Sequence, residues 1–283
     1  MANPSVDTAE AGANMTESET AGVLDERPAY LRKEGHIAII TMNRPEVKNA
    51  VNAAMSIALQ DAVDEFLADP ELRVGILTGA GADFCAGADL KEVAAGRSLL
   101  GPDQRERGFG GIMQQLIDKP LIAAVNGYAL GGGTEFVLAC DLAVMSENAL
   151  LGLPEVRRGI IAAGGGLLRI ARRMPLSIAL EAVMTGAPIS AEEALRWGLV
   201  NRVVPAEQVL DAARELATMI AANAPLAVQA SKRVTYESAA LSDWDEQAWR
   251  VSGRAASKIM RTADAKEGPR AFAAKRSPRW ESR

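Results

Sequence analysis

The strongest constraint on the fold is a strand–helix–strand pattern near the amino end. Residues 36–42 (HIAIITM) show apolar alternation, residues 53–69 carry apolar side chains at helical spacing, and residues 74–79 (VGILTG) form an apolar run. A strand–helix–strand unit of this kind suits a parallel sheet. The pattern therefore predicts an α/β fold.

The rest of the chain continues this pattern and then becomes helical. Strands are predicted at residues 121–127, 141–146, 149–155 and 199–204, with helices near 103–117, 134–140, 206–222, 225–240, 244–261 and 264–276. Ser190 and Glu193 form a capping box, which marks the start of one further helix. We expect a disordered acidic tail (1–28), an α/β core (29–204) and a helical region (205–283).

The composition is that of a globular protein rather than a disordered one. The 283 residues carry a formal net charge of −5 and are 48% hydrophobic. Two cysteines, Cys85 and Cys140, and one histidine, His36, provide neither a disulfide framework nor a tetrahedral zinc site. The sequence therefore predicts a cytoplasmic protein that holds no metal ion.

No segment is expected to enter a membrane. Residues 1–26 lack the basic and apolar regions of a secretory signal. The most apolar stretch, residues 120–145, is interrupted by Asn126, Glu135 and Asp141, and these side chains would be unfavourable at bilayer depth.

Three common kinds of site are not indicated. The sequence contains no G-x-S-x-G motif and has a single histidine, on an apparent strand near the amino end. Both observations argue against the nucleophile–histidine triad of a hydrolase. Gly79-Ala-Gly81 follows a strand, but Phe84 takes the third glycine position of a dinucleotide-binding turn. The sequence also lacks the glycine-rich phosphate loop of nucleotide hydrolases.

A strand, a glycine turn and a helix over residues 123–141 (AAVNGYALGGGTEFVLACD) are the most informative segment. Gly131, Gly132 and Gly133 have no Cβ, so their amides at the amino end of the helix can approach a ligand closely. Such amides stabilise an oxyanion, for example an enolate oxygen. Tight packing of the turn is the alternative explanation. A second amide donor is expected from the glycine-rich segment 85–90.

Two glutamates stand in apolar surroundings close to this turn in the sequence. Glu135 lies in the first turn of the short apolar helix, and Glu155 follows Pro154 in another apolar run. Two carboxyl groups that share a dry pocket have at least one raised pKa, so one can act as an acid while the other acts as a base. Each could also be an ordinary helix-end or strand-end charge.

Several blocks of the sequence resemble the crotonase, or enoyl-CoA hydratase/isomerase, superfamily. They run in order from about Tyr30 to the end: NRPEVKNAVN (43–52), AGADLKEV (86–93), DKPLIAAVNGYALGGGTEF (118–136), LGLPEVRRGI (151–160), GGGLLRI (164–170), SAEEALRWGLVNRVV (190–204) and EGPRAFAAKR (267–276). The resemblance implies an α/β, crotonase-like ββα spiral core with a C-terminal helical trimerisation region. It also implies a homotrimer or a dimer of trimers.

The resemblance assigns roles to four residues. The amides of Ala88 and Gly132 would form the oxyanion hole for a thioester oxygen. Glu135 would activate a water for attack at Cβ of a 2-enoyl-CoA, and Glu155 would protonate Cα, giving syn addition of water through an enolate. Coenzyme A is then part of the substrate, and no separate cofactor is expected.

The resemblance also places the coenzyme A moiety. Its adenine end would lie along Ala86, Ala88, Asp89, Leu90 and Lys91. Lys48 would meet a phosphate group. From the C-terminal helix, often that of a neighbouring subunit, Phe272 and Lys275 would close over the nucleotide.

One departure from the family pattern bears on the reaction. Ala162 and Ala163 stand where many hydratases have Pro-Gly, in a segment whose backbone helps to orient the water. The C-terminal blocks also resemble carnitinyl-CoA dehydratases. Carnitinyl-CoA dehydration and enoyl-CoA isomerisation on the same scaffold are therefore alternatives to hydration.

An alternative of another class is a scaffold that binds RNA or a partner protein without catalysis. The segment from Gly253 to the end carries nine basic and three acidic residues, a local excess of 9 − 3 = +6. Overall acidity and the lack of interleaved aromatic residues argue against nucleic acid. Filter binding to RNA across a salt series would test this alternative.

Overall fold

The computed structural model describes residues 25–283. The strands are β1 (Ala29–Glu34), β2 (Ile37–Met42), β3 (Val74–Gly79), β4 (Leu121–Val125), β5 (Ala129–Leu130), β6 (Leu142–Ser146), β7 (Leu150–Gly152), β8 (Ile189–Ser190) and β9 (Arg202–Val204). The helices are α1 (Ala53–Ala68), α2 (Leu90–Ala94), α3 (Gly132–Ala139), α4 (Gly166–Arg173), α5 (Leu176–Thr185), α6 (Ala191–Arg196), α7 (Val209–Ala221), α8 (Pro225–Ser238), α9 (Glu246–Ile259) and α10 (Ala263–Ala273).

The main sheet has six strands in the order β1-β2-β3-β4-β6-β9. Its strands pair in parallel, except that β1 runs antiparallel to β2. Alternate residues of β2 enter different cores: Ile40 packs in the core that contains α1, and Ile39 packs in the core that contains α7. Because both faces are covered, the strands read as continuous apolar runs. The α/β prediction is confirmed.

A small second sheet, in the order β5-β7-β8, lies beside α3. Its first strand, β5, comes three residues after β4 ends and leads directly into α3. A backbone bridge joins Cys85 to Ala129, so the segment that follows β3 lies against β5. The loops after two neighbouring parallel strands therefore meet at one place, where ligands commonly bind in α/β proteins.

The helix predicted near 103–117 is wrong. The structure has only a 3₁₀ turn there, at Phe109–Gly111. Gly108, Gly110 and Gly111 adopt φ angles of 72°, 62° and 73°, which a right-handed helix cannot contain. Helical spacing of the apolar residues was outweighed by these three glycines.

Strand β1 was not predicted, because three of its six residues are charged and Ala29 alone among them is buried. Most of the predicted acidic tail, residues 1–24, lies outside the described residues. Residues 25–28 are held to the core, since Asn43 Nδ2 donates to the carbonyl oxygens of Asp25 and Arg27. The boundaries of the three predicted segments stay predictions.

The described residues contain neither a membrane-spanning helix nor a cluster of metal-binding side chains. Within residues 25–283, no helix combines the length and the apolar character needed to span a bilayer. The same residues contain no group of three His, Cys, Asp or Glu side chains arranged to hold a metal ion.

Candidate active site

The glycine turn between β5 and α3 is pressed against the neighbouring backbone. A Cβ placed on Gly133 would lie 2.0 Å from the carbonyl oxygen of Cys85, and a Cβ on Gly132 would lie 2.4 Å from Cε1 of Phe109. Gly131 adopts a φ of 55° and donates its amide to the carbonyl oxygen of Gly152 at 2.8 Å. Tight packing is therefore one reason for the glycines.

The amide of Gly132 is nevertheless available to a ligand. Gly132 is the first residue of α3, where a helix provides no intrahelical acceptor for the N–H. The part of the chain that the structure describes offers this amide no other acceptor. The tight packing of the turn is thus compatible with a buried amide donor that has no acceptor in the described chain.

The segment 85–89 brings a second amide to the same place. A Cβ placed on Gly87 would lie 2.8 Å from the Gly132 nitrogen, so the two backbones are in contact. Val51 donates to Gly87 and accepts from Asp89. This parallel bridge passes over Ala88, whose N–H has no acceptor among residues 25–283. The structure thus places the Ala88 and Gly132 amides beside each other.

Buried polar contacts fix the shape of this segment. The Cys85 thiol donates to the Asn49 carbonyl oxygen, and the Gly87 amide donates to Cys85 Sγ. Burial raises the pKa of the Cys85 thiol to about 12, so the thiol remains protonated near neutral pH. Its contribution here is to hold the backbone in place.

Glu135 is a buried carboxyl group in the first turn of α3. Its side chain is part of a residue only 4% exposed, and Oε1 accepts a hydrogen bond from the Gly166 amide at 2.9 Å. Burial raises the pKa of Glu135, and the amides of Gly166 and Gly164 and the charge of Arg169 oppose that rise. The group can therefore exchange a proton at a higher pH than an ordinary glutamate.

Glu155 lies beside Gly131, the first glycine of the turn. It belongs to a 3₁₀ helix, Pro154–Arg158, rather than to the predicted strand at 149–155. Its Oε1 lies 3.0 Å from where a Cβ of Gly131 would be, and its buried Oε2 has no hydrogen-bond partner in the described chain. Burial raises its pKa, and the charge of Glu135 raises it further. The two carboxyl groups therefore interact.

The predicted coenzyme A residues are brought only partly together. Lys48 lies beside the loop, since its carbonyl oxygen accepts the Ala86 amide at 2.9 Å and its Nζ is 3.5 Å from Asp83. Leu90 and Lys91 are exposed at the start of α2. The side chain of Asp89 is engaged elsewhere: it caps α2 through the Lys91 amide and forms an ion pair with Arg44 at 3.4 Å.

Phe272 and Lys275 are not brought to this place by their own chain. Phe272 is 87% exposed, and Lys275 lies just beyond α10. The hydrogen bonds of the α10 region run to the C-terminal residues 279–283, and Trp280 donates to the Ala222 carbonyl oxygen. A role for both residues in binding stays a prediction.

Sequence reasoning missed two residues beside the turn. Phe109 packs its ring edge on Gly132 and lies 5.5 Å, centroid to centroid, from Phe136. Arg169 donates to the carbonyl oxygens of Gly164 and Met113. The sequence does contain one signal that could have identified Arg169, because this charged residue directly follows the run GGGLL.

Comparisons with known proteins identify the family of the chain. The family model described as enoyl-CoA hydratase/isomerase matches residues 32–283. A carnitinyl-CoA dehydratase of Salmonella paratyphi A is 45% identical over 261 residues, covering 90% of this chain and 98% of that protein.

Solved structures resemble this chain over most of its length. An enoyl-CoA hydratase of Mycobacterium marinum is 47% identical, with a TM-score of 0.86 over 91% of this chain and 100% of that one. A carnitinyl-CoA hydratase of Mycobacterium avium is 49% identical, with a TM-score of 0.73 over 91% and 99%. The fold and the matched sequence define a hydratase or dehydratase type of enzyme. The chain belongs to the enoyl-CoA hydratase/isomerase family, within the crotonase superfamily.

Proposed function

We propose that this protein adds water across the 2,3 double bond of a 2-enoyl-CoA, and removes it in the reverse direction. One observation carries the proposal: the buried carboxyl group of Glu135 and the half-buried one of Glu155 lie close to a turn at which two backbone amides have no acceptor among residues 25–283. Amides directed at a thioester oxygen stabilise the charge that develops there, and the carboxyl pair moves protons at the adjoining carbons.

The surroundings of Glu135 and Glu155 suggest the order of the proton transfers. Ionised Glu135 takes a proton from water while the hydroxide adds to Cβ, and the electron pair of the double bond moves to the thioester oxygen. The Ala88 and Gly132 amides bind that oxygen. Protonated Glu155 then gives its proton to Cα as the thioester carbonyl re-forms. The proton gained by Glu135 and the one lost by Glu155 are restored by exchange, so the net change is one water added.

This chemistry needs no separate cofactor, because the thioester itself activates the double bond and the chain supplies both proton carriers. Isomerisation of a double bond needs only one group to move a proton between two carbons. The presence of both Glu135 and Glu155 therefore favours hydration or dehydration over isomerisation.

Dehydration of carnitinyl-CoA is the second candidate, because relatives 45% identical over nearly their whole length carry that name. The proton transfers would be those above in reverse: Glu155 would take the Cα proton, and Glu135 would protonate the departing hydroxyl group. The two candidates differ in the substituent on the acyl chain, which in carnitine carries a quaternary ammonium group.

A substrate comparison separates these candidates. The purified protein should consume crotonyl-CoA with loss of the absorbance of its conjugated thioester, and kcat/KM should be compared with that for carnitinyl-CoA. A higher kcat/KM for crotonyl-CoA supports the first candidate, and a higher value for carnitinyl-CoA supports the second. Turnover of neither thioester would contradict the proposal.

We also propose that the chain assembles as a trimer or a dimer of trimers. The C-terminal helices bury few of their own side chains: α8 buries Pro225, α9 buries none, and α10 buries two. Trp244 is 91% exposed, and Met260 and Phe272 are also exposed. Such exposed apolar side chains mark association surfaces.

Sedimentation velocity tests the assembly. We expect a mass of three or six times the 29.9 kDa of one chain. A single species at the mass of one chain at micromolar concentration would contradict it.

A further inference from the structure

The guanidinium of Arg169 is a cation beside the carboxyl pair to which the proposed reaction assigns no role. Arg169 lies in α4 and is half-buried. Its Nη2 donates to the Met113 carbonyl oxygen at 2.6 Å, and its Nη1 donates to the Gly164 carbonyl oxygen at 3.3 Å. Among residues 25–283 no carboxylate forms an ion pair with it, although burying an unpaired charge is unfavourable.

The backbone of residues 164–166 lies between this guanidinium and Glu135. A Cβ placed on Gly165 would lie 2.2 Å from Arg169 Nη1, and a Cβ on Gly164 would lie 2.5 Å from Glu135 Oε2. The next amide, that of Gly166, donates to Glu135 Oε1. A change in the position of the guanidinium would therefore be passed to the carboxylate through three glycines.

The other hydrogen bond of Arg169 reaches a different part of the site. Met113 follows the 3₁₀ turn that carries Phe109, and the Phe109 ring lies on Gly132. One side chain thus joins the backbone that holds Glu135 to the segment that packs on an oxyanion-hole glycine. A guanidinium suits this task, because its planar donors can bind two carbonyl groups at once.

We propose that Arg169 is a positioning residue for the hydration, which holds residues 164–166 and the Met113 carbonyl group in place around the Glu135 carboxylate. The inference rests on the proposed function of Glu135 as the base. Its contribution is expected in kcat more than in KM, because the residues predicted to bind coenzyme A lie in other segments.

The charge of Arg169 has a second effect. The charged groups that face Glu135 are Arg169 and Glu155. Arg169 itself faces Glu135, Arg173, Tyr236 and Cys140, and burial raises the pKa of both the Tyr236 hydroxyl and the Cys140 thiol to about 12. Those two groups are neutral near pH 7. Loss of Arg169 should therefore raise the pKa of Glu135 further, because a cation that favours its ionised form is removed.

The test uses three variants of the full chain. Arg169→Gln removes the charge, and Arg169→Lys keeps it but replaces the planar donors with one ammonium group. Arg172→Gln is the matched control, since Arg172 is exposed on the same helix. We would measure kcat and KM for hydration of crotonyl-CoA from pH 5 to 9, together with melting temperatures.

We expect Arg169→Gln to lower kcat by about 10–100-fold, with little change in KM and with the acidic limb of the kcat profile at higher pH. Arg169→Lys should keep the wild-type acidic limb and recover kcat only in part. Arg172→Gln should match the wild type. A wild-type kcat together with an unmoved acidic limb in Arg169→Gln would overturn the inference. Equal losses of kcat in Arg169→Gln and Arg169→Lys, accompanied by a lowered melting temperature in both, would also overturn it.

A titration of the Glu135 carboxyl group tests the inference without a measurement of enzymatic turnover. Its ¹³C-carboxyl signal, assigned by its loss in Glu135→Gln, should titrate at higher pH in Arg169→Gln than in the wild type or Arg172→Gln. An unchanged titration overturns the inference. Absence of hydration in the wild type would instead contradict the proposed function, while this measurement would still decide the inference.

Discussion

Glu135→Gln is expected to lower kcat for hydration of a 2-enoyl-CoA by about 10²–10⁴-fold, the usual range for a positioned acid or base. The glutamine oxygen can still accept the hydrogen bond from the Gly166 amide, so the fold of the loop should be preserved. The amide group cannot take the proton of the attacking water. The measurement is the rate of loss of the enoyl-thioester absorbance under saturating substrate.

Glu155→Gln should cause a loss of similar size, because it removes the proton donor for Cα. Glu147→Gln is the matched control, since Glu147 is exposed in the turn between β6 and β7. All three variants should unfold at temperatures close to that of the wild type. Wild-type rates in both Glu135→Gln and Glu155→Gln would show that the carboxyl pair does not carry out the reaction.

Gly87→Ala should lower kcat by about 10²–10³-fold, as in other enzymes that lose an oxyanion donor. Gly87 has a φ of 87°, and a Cβ there would lie 2.7 Å from the Leu130 carbonyl oxygen and 2.8 Å from the Gly132 nitrogen. The added methyl group must push the two backbone segments apart. The Ala88 and Gly132 amides would then no longer be directed at one oxygen atom.

Gly96→Ala separates this effect from simple backbone strain. Gly96 also has a positive φ, 67°, but a Cβ there would meet nothing within 4 Å in the described structure. Both variants bear the cost of an alanine at positive φ, on the order of 1–2 kcal/mol. When kcat is expressed per folded molecule, only Gly87→Ala should show a lower value than the wild type. Equal kcat values for the two variants would contradict the proposed oxyanion hole.

Much of the fold can be predicted from the sequence where one local pattern dominates, such as an apolar run or a helix-capping motif. The strands at 37–42, 74–79 and 121–125 are continuous apolar runs because both faces of the sheet are covered by helices. The capping box at Ser190 and Glu193 is present as predicted, with both reciprocal hydrogen bonds formed. These features depend on neighbours in sequence, so pattern and structure agree.

The segment between α2 and β4 shows where pattern fails. Its apolar spacing resembles a helix, but three glycines with positive φ turn the chain so that Phe109 packs on Gly132. The need for that turn arises from contacts with distant residues such as Phe136 and Gln60. A reading of residues 103–117 alone contains none of these contacts.

The candidate site likewise combines features that can be predicted from the sequence with contacts that depend on tertiary packing. The turn at 131–133 and the two glutamates stand out because glycine runs and charges are conspicuous in apolar sequence. That Glu155 belongs to a 3₁₀ helix, and that Arg169 reaches both Gly164 and Met113, depends on how separate segments pack. Spacing along the chain carries little information about such contacts.

The most direct test of the account is a crystal structure of the protein with butanoyl-CoA, a saturated thioester that cannot be hydrated. We predict that its carbonyl oxygen lies about 2.7–3.1 Å from both the Ala88 and Gly132 nitrogens. The carboxyl groups of Glu135 and Glu155 should then face its Cα and Cβ. A carbonyl oxygen bound away from those two amides, or carboxyl groups that line separate cavities, would contradict the account.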